Sequence, residues 1–197
     1  MDHTSIPRFT EHEETVKGSR FITWVAPVND EAAAQELLER ARKEHPDATH
    51  HCSAWRIGEN VRFSDDGEPG GTAGRPMLEV LLKRELTNVA AIVIRYFGGT
   101  RLGAGGLVRA YSGSVARALD KAGTVEVLAQ ESVSMTVPFA LADSVIRFVG
   151  DVPEARTTAS DYSADGLELT VELPVRQAAD FRERLVDHTN GAVTIRS

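Results

Sequence analysis

The chain has 197 residues and a formal net charge of -7, which fits one large domain or two small ones and argues against a uniformly basic nucleic-acid coat. Hydrophobic residues make up 42% and charged residues 26%, enough apolar surface to build a core and too much for a wholly disordered chain. There is no apolar run long enough for a spanning helix, the polar and acidic start lacks the features of a signal peptide, and the lone Cys52 has no intrachain disulfide partner. The expectation is a cytoplasmic protein with a free thiol and no membrane association.

The charge is unevenly spread. Residues 1–66 carry eight basic and thirteen acidic side chains, residues 67–130 eight and five, and residues 131–197 six and eleven. Ten of the sixteen glycines lie between Gly67 and Gly113. A basic, glycine-rich middle between acidic flanks is where an anion site is expected.

In chain order, the first dozen residues carry no recognisable signal. Residues 19–28, rich in β-branched and aromatic types, predict a strand. Asp30 then caps a helix to about Lys43, with Ala33, Ala34, Leu37, Leu38 and Ala41 at helical spacing and Pro46 as the stop. Residues 50–57 predict a strand, 58–60 a turn, and 61–64 a short strand. The loop DDGEPGGTAG follows, dense in turn residues. Pro76 suits the first turn of a helix that MLEVLLKREL continues. Residues 89–94 form a short apolar run, the pattern of a buried strand. A second glycine loop leads into a helix from Leu107 to about Ala122, ended by Gly123. After residue 130 the rhythm is strand 131–138, helix 139–150, strands 154–161 and 166–173, helix 174–188 and a closing strand. That is the ferredoxin-like β-α-β-β-α-β order, so the domains are expected at 1–129 and 130–197.

The stretch RYFGGTRLGAGGLVRAYSG (95–113) runs from strand through glycine loop to helix. Amides at a helix N-terminus attract anions, and glycines allow close approach. Known nucleotide fingerprints are absent. At about 100° per residue, Val108, Tyr111, Val115, Leu119 and Ala122 share one face, while Arg109, Gly113, Arg117 and Lys121 lie opposite, beside the small residues Ala110, Ser114 and Ala116. Arg95, Gly98, Gly99, Arg101, Gly103, Gly105, Gly106, Arg109, Arg117 and Lys121 are the candidate anion or RNA site, the alternatives being a tight glycine connection, a solvated charged face or a face for a partner helix, and either Tyr96 or Phe97 stacks on a base or sits in the core. Asp65, Asp66 and Glu68 crowd one loop, where they either hold a metal or act as acid and base, or serve turn chemistry. His50 and His51 face opposite ways on a strand, so they do not form a compact ligand set together; one of them can join Asp65 or Asp66. No cofactor is indicated and the metal is left unassigned.

FSDDGEPGGTAGRPML (63–78), VIRYFGGTRLGAGGLVRAYSG (93–113) and ARKEHPDATHHCSAW (41–55) together resemble the IMPACT/YigZ family, and the likeness covers nearly the whole chain. The resemblance implies an α+β protein of two domains. The first is a two-layer α/β sandwich similar to the second domain of small-ribosomal-subunit protein five, and the second is similar to the last domain of elongation factor G. Galactokinase–homoserine-kinase-class enzymes share the first fold, but their serine-rich loop is not present here. The resemblance implies a regulator of translation that binds RNA or the ribosome, rather than an enzyme; its eukaryotic relatives act through protein contacts. The alternatives are a metal-dependent enzyme on a small phosphorylated or nucleotide substrate, and an adaptor for proteins of the translation machinery without RNA. The oligomeric state is not legible in the sequence.

Overall fold

The computed structural model describes residues 2–196. It divides into two compact units, His3–Val127 and, with Asp2, residues 128–196.

The first unit contains β1 (His3–Ser5), β2 (Thr10–Val16), β3 (Ser19–Pro27), α1 (Glu31–Glu44), β4 (His50–Ile57), β5 (Asn60–Ser64), α2 (Gly74–Lys83), β6 (Val89–Tyr96), α3 (Ala104–Ala122) and β7 (Val125–Val127). Five strands form an antiparallel sheet in the order β2-β3-β6-β4-β5. Central β6 is buried from Val89 to Arg95 because helices cover both faces of the sheet. Ala91 and Val93 pack with Phe21, Val25 and Cys52 against α2 and α3. Ala90, Ile92 and Ile94 pack with Ile22 and Trp24 against Ala34, Leu37, Leu38 and Ala41 of α1. The two-layer picture thus describes the sheet with α2 and α3, and α1 adds a cover to the opposite face.

Local chemistry explains the ends of the elements. Asp30 accepts the Ala33 N–H at 2.8 Å and caps α1. Gly123, at φ 72°, ends α3. That helix begins at Ala104, three residues before the expected start, because Gly103 at φ 73° turns the chain into it; Gly105 and Gly106 are poor helix formers and hide the first turn from a propensity reading. Val108, expected in the core, is 37% exposed. Tyr111, Val115, Leu119 and Ala122 are buried as expected, and Leu107 and Ala110 are buried beside them. Ser114, expected beside an open basic stripe, is fully buried with its hydroxyl against that of Thr23. The helix is rolled so that a wider face lies on the sheet.

The sequence reading missed three strands. β1 pairs with β7. β2 (TEHEETV) is an edge strand whose outward positions are charged, so it lacks an apolar period. Its hairpin to β3 closes through Lys17 and Gly18, at φ 47° and 83°, the two positive values of a tight type I′ turn.

The second unit contains β8 (Gln130–Val137), a 3₁₀ turn (Phe139–Leu141), α4 (Ala142–Gly150), β9 (Arg156–Tyr162), β10 (Leu167–Pro174), α5 (Val175–His188) and β11 (Thr194–Arg196). Its sheet runs β11-β8-β10-β9, antiparallel throughout, which is the ferredoxin-like arrangement. Val133, Met135, Val137, Leu167, Leu169, Val171 and Leu173 meet Val145, Val149, Phe181 and Leu185 in one core. The alternate positions are polar, with Ser134 bonded to Thr170 at 3.1 Å. One covered face and one wet face produce the clean alternation seen in the sequence. The whole is a two-domain α+β fold.

One close approach fixes the loop geometry of the first unit. A Cβ on Gly98 would lie 1.9 Å from the carbonyl carbon of Gly18, whereas one on Gly70 would meet open space. Gly98→Ala should lower stability by about 1–3 kcal/mol, and Gly70→Ala should change it by less than about 1 kcal/mol. Urea denaturation of the two variants checks this.

Candidate functional site

β4 runs antiparallel to both β5 and β6, so β5 and β6 end on the same edge of the sheet. The loop after β5 (65–73) and the loop after β6 (97–103) therefore leave side by side. β3 is antiparallel to β6 and begins at that same edge, which brings in the Lys17-Gly18 turn. The N-terminal end of β4, with His50, arrives there too.

The three carboxylates of the first loop have separate roles. Asp65 accepts the N–H groups of Gly71, Ala73 and Gly74 at 2.7, 3.0 and 2.8 Å. It folds the loop onto itself and satisfies amides at the start of α2, where no side chain of the helix's own cap does so. Asp66 accepts the His51 N–H at 2.7 Å and lies 3.5 Å from Arg42. Its carbonyl accepts from Nδ1 of His50 at 2.8 Å. Glu68 turns inward, its side chain 3% exposed. Its Oε1 accepts from Arg95 at 2.5 Å and from the Tyr111 hydroxyl at 2.6 Å, and its Oε2 lies 3.9 Å from Nε2 of His50. Among the described residues, no group of three or more His, Cys, Asp or Glu is arranged to hold a metal ion.

A hydrogen-bond chain continues inward. The Cys52 sulfur lies 3.4 Å from the Tyr111 hydroxyl and 3.1 Å from the Asp65 carbonyl, so its one S–H is within reach of either. Burial pushes the pKa of both Tyr111 and Cys52 up, so the thiol is an inert core group rather than a nucleophile. His51 is buried on the other side of β4, with Nε2 donating to the His45 carbonyl at 3.1 Å, and burial lowers its pKa.

The basic residues separate into two sets. Arg95 was expected to touch phosphate, but it is 4% exposed, bound to Glu68 and donating to Ser19 at 3.2 Å. Arg117 is paired with Glu14, and Lys121 donates to the Glu11 carbonyl at 2.9 Å, because edge strand β2 runs alongside α3. Those two are not the open continuation of the stripe that helical spacing suggests. Arg101, Arg109 and Lys17 have no hydrogen bond or ion pair among the described residues. Lys17, which the sequence reading missed, lines a cleft with Arg109, Arg117, Leu102 and Gly106. Its signal is faint: a Lys-Gly pair two residues long before a strong strand.

The glycines likewise differ in role. Gly98 is small because Gly18 lies against it, and its N–H donates to Ser19 at 3.2 Å. Gly99 and Gly103 take positive φ of 84° and 73°. Gly106 leaves room for Leu102, which a Cβ would meet at 3.0 Å. No side chain caps the N-terminus of α3, so the N–H groups of Ala104, Gly105 and Gly106 lack intrahelical partners. Beside them opens a cleft of about 320 Å³ lined by Glu68, Pro69, Arg95, Phe97, Arg101, Leu102, Gly103, Ala104 and Leu107. Of the two candidate stacking residues, Tyr96 turns towards the core, its hydroxyl 2.9 Å from Nδ1 of His45, and Phe97 stays 48% exposed.

Two measurements test these assignments. Glu68→Ala leaves the Arg95 charge buried without its partner and should cost about 3–5 kcal/mol, while Glu68→Leu with Arg95→Met should recover much of that loss; chemical denaturation of the single and paired variants reads it. His51 has a lowered pKa in the folded chain and regains its ordinary 6.5 on unfolding. Its contribution to stability is full above that value and declines as the pH falls below it. His51→Gln should flatten that acid-side decline in urea titrations run at successive pH values.

Comparison with known proteins places this geometry among relatives. The Impact N-terminal domain matches residues 17–119. IMPACT family member YigZ of Escherichia coli K12 is 38% identical over 187 residues, 92% of this chain and 91% of that protein. IMPACT family member YvyE of Bacillus subtilis 168 is 54% identical over 119 residues, 59% of this chain and 55% of that protein. The Saccharomyces cerevisiae Protein IMPACT homolog is 34% identical over 95 residues, 45% of this chain and 37% of that protein. A crystal structure described as that of a hypothetical protein superposes with a TM-score of 0.71 at 36% identity, covering 98% of this chain and 96% of the other. No helix among the described residues is long and apolar enough to cross a membrane.

Proposed function

The chain belongs to the IMPACT family, and from that premise we propose that it binds RNA on or near the ribosome and modulates translation through the surface around the N-terminus of α3. The observation that carries this reading is the grouping of Lys17, Arg101 and Arg109, none of them paired among the described residues, around an uncapped, glycine-rich helix start. Partnerless cations and outward amides are the groups that contact phosphate oxygens. The ribosomal-protein-like fold that the sequence resemblance implies for the first domain would suit such a role. A protein partner from the translation machinery would meet the same surface. The reading as a metal-dependent enzyme draws no support from Asp65 and Asp66, whose side chains hold the loop and the start of β4 in place.

Binding should weaken with salt, with a log–log slope of roughly 0.7 per phosphate contact on a single strand. Arg101→Ala with Arg109→Ala should reduce that slope by about two contacts. Arg117→Ala should reduce it less, since Glu14 already neutralises that side chain. Fluorescence anisotropy with ribosomal RNA fragments across a salt series measures this. An unchanged slope in the double variant sinks the proposal.

A further inference from the structure

The proposed RNA contact uses charge, and charge alone does not distinguish one form of RNA from another. The cleft beside the α3 N-terminus adds a different kind of group. Phe97 lines it with a ring 48% exposed, the one aromatic side chain of a loop whose only other large apolar residue is Leu102. Exposed rings are ordinary on protein surfaces, but this one is held from several directions. The Phe97 N–H donates to Thr49 at 3.0 Å, and the next N–H, of Gly98, donates to Ser19 at 3.2 Å. The Arg95 guanidinium lies over the ring, 5.7 Å from its centroid. Arg95 is itself locked by Glu68 and Ser19, and its buried Nε has no hydrogen-bond partner among the described residues. The backbone that carries Phe97 is therefore set in place before anything binds, and the Arg95 guanidinium limits the ring from one side, so a ligand stacking on it meets a partly preorganised platform.

The rest of the lining completes a slot for one nucleotide. Pro69, Leu102 and Leu107 supply apolar wall, and Arg101 with the amides at the start of α3 supplies an anion contact at the same opening. A volume of about 320 Å³ is at the small end of ligand sites, suited to a single flat ring rather than a paired stem. The bases of a duplex are stacked on one another and do not enter such a slot, whereas an unpaired base does. Resting on the RNA reading above, we infer that this cleft receives one unstacked base of single-stranded RNA on Phe97, with its neighbouring phosphate at Arg101 and the α3 amides. The surface thereby selects single strands, loops or ends over duplex.

The test compares a short single-stranded RNA with a duplex of the same length, using the full chain and the variants Phe97→Ala, Phe97→Leu and Phe97→Tyr. Phe97→Leu keeps apolar volume without a ring, and circular dichroism checks that each variant is folded. The wild type should prefer the single strand. Phe97→Ala and Phe97→Leu should each weaken single-strand binding by about fivefold or more, with the salt slope unchanged, and Phe97→Tyr should keep the preference. Equal affinity for strand and duplex overturns the inference, as does a Phe97→Leu variant that matches the wild type. In either case binding that still depends on Arg101 and Arg109 leaves the RNA reading standing. A nucleoside monophosphate that binds as tightly as the strand overturns it in favour of a free-nucleotide site. Absence of binding to both RNAs removes this inference together with the reading on which it rests.

Discussion

The first unit is organised around a carboxylate inside its core. Glu68 comes from a surface loop, yet its side chain reaches inward to bind Arg95 of β6 and Tyr111 of α3. Through Tyr111 it is linked to Cys52 of β4, and through Arg95 to Ser19 of β3. Four elements and a loop thus converge on one acidic group. A carboxylate removed from water is strongly unfavourable unless paired and hydrogen-bonded, so the arrangement tolerates little displacement of any member. The consequence reaches the surface: the same Arg95 that neutralises Glu68 lies over Phe97, and both line the cleft.

Strand order determines what lies next to that cleft. Because β3 and β4 each run antiparallel to β6, and β5 runs antiparallel to β4, the hairpin turn at Lys17, the start of β4, the loop after β5 and the loop after β6 share one edge of the sheet. Residues some eighty positions apart in the chain meet there, as Gly18 and Gly98 show by their contact. Gly18 is also required locally by its turn, at φ 83°, whereas Gly98 has no local reason to be small. Gly98 is required because Gly18 is close.

The distribution of charge is decided in the same way. On α3 alone, Arg109, Arg117 and Lys121 form a stripe, and a stripe of cations suggests a track for a polyanion. Edge strand β2 lies alongside that helix, and its Glu14 side chain and Glu11 carbonyl engage Arg117 and Lys121. The acidic flank of the sequence thereby covers two of the three cations of that stripe. What remains available is concentrated at the N-terminal end of α3, where Arg101, Arg109 and the turn residue Lys17 surround amides without a capping side chain.

The element pattern was legible in the residues wherever burial is periodic. The alternation in β8 and β10, the apolar run of β6, the Asp30 cap and the Gly123 stop each follow from local chemistry, and so the strand–helix order of the second unit, and of the first from β3 to α3, could be read in advance. The motifs of the two glycine loops likewise carried the family. β2 was illegible because an edge strand with charged outward positions has no apolar period, and the Ala104 start of α3 because glycines mask a helix. The candidate site was legible as a list of residue types but not as an arrangement. Arg95 and Arg101 are both arginines in one motif; only packing makes the first a buried partner of Glu68 and leaves the second free, and only the pairing of β6 with its neighbours turns Tyr96 inward and Phe97 outward. The physical reason is that helix and strand periods are set by neighbours a few positions away, whereas the desolvation and pairing of a charge depend on groups that the fold brings from the far ends of the chain.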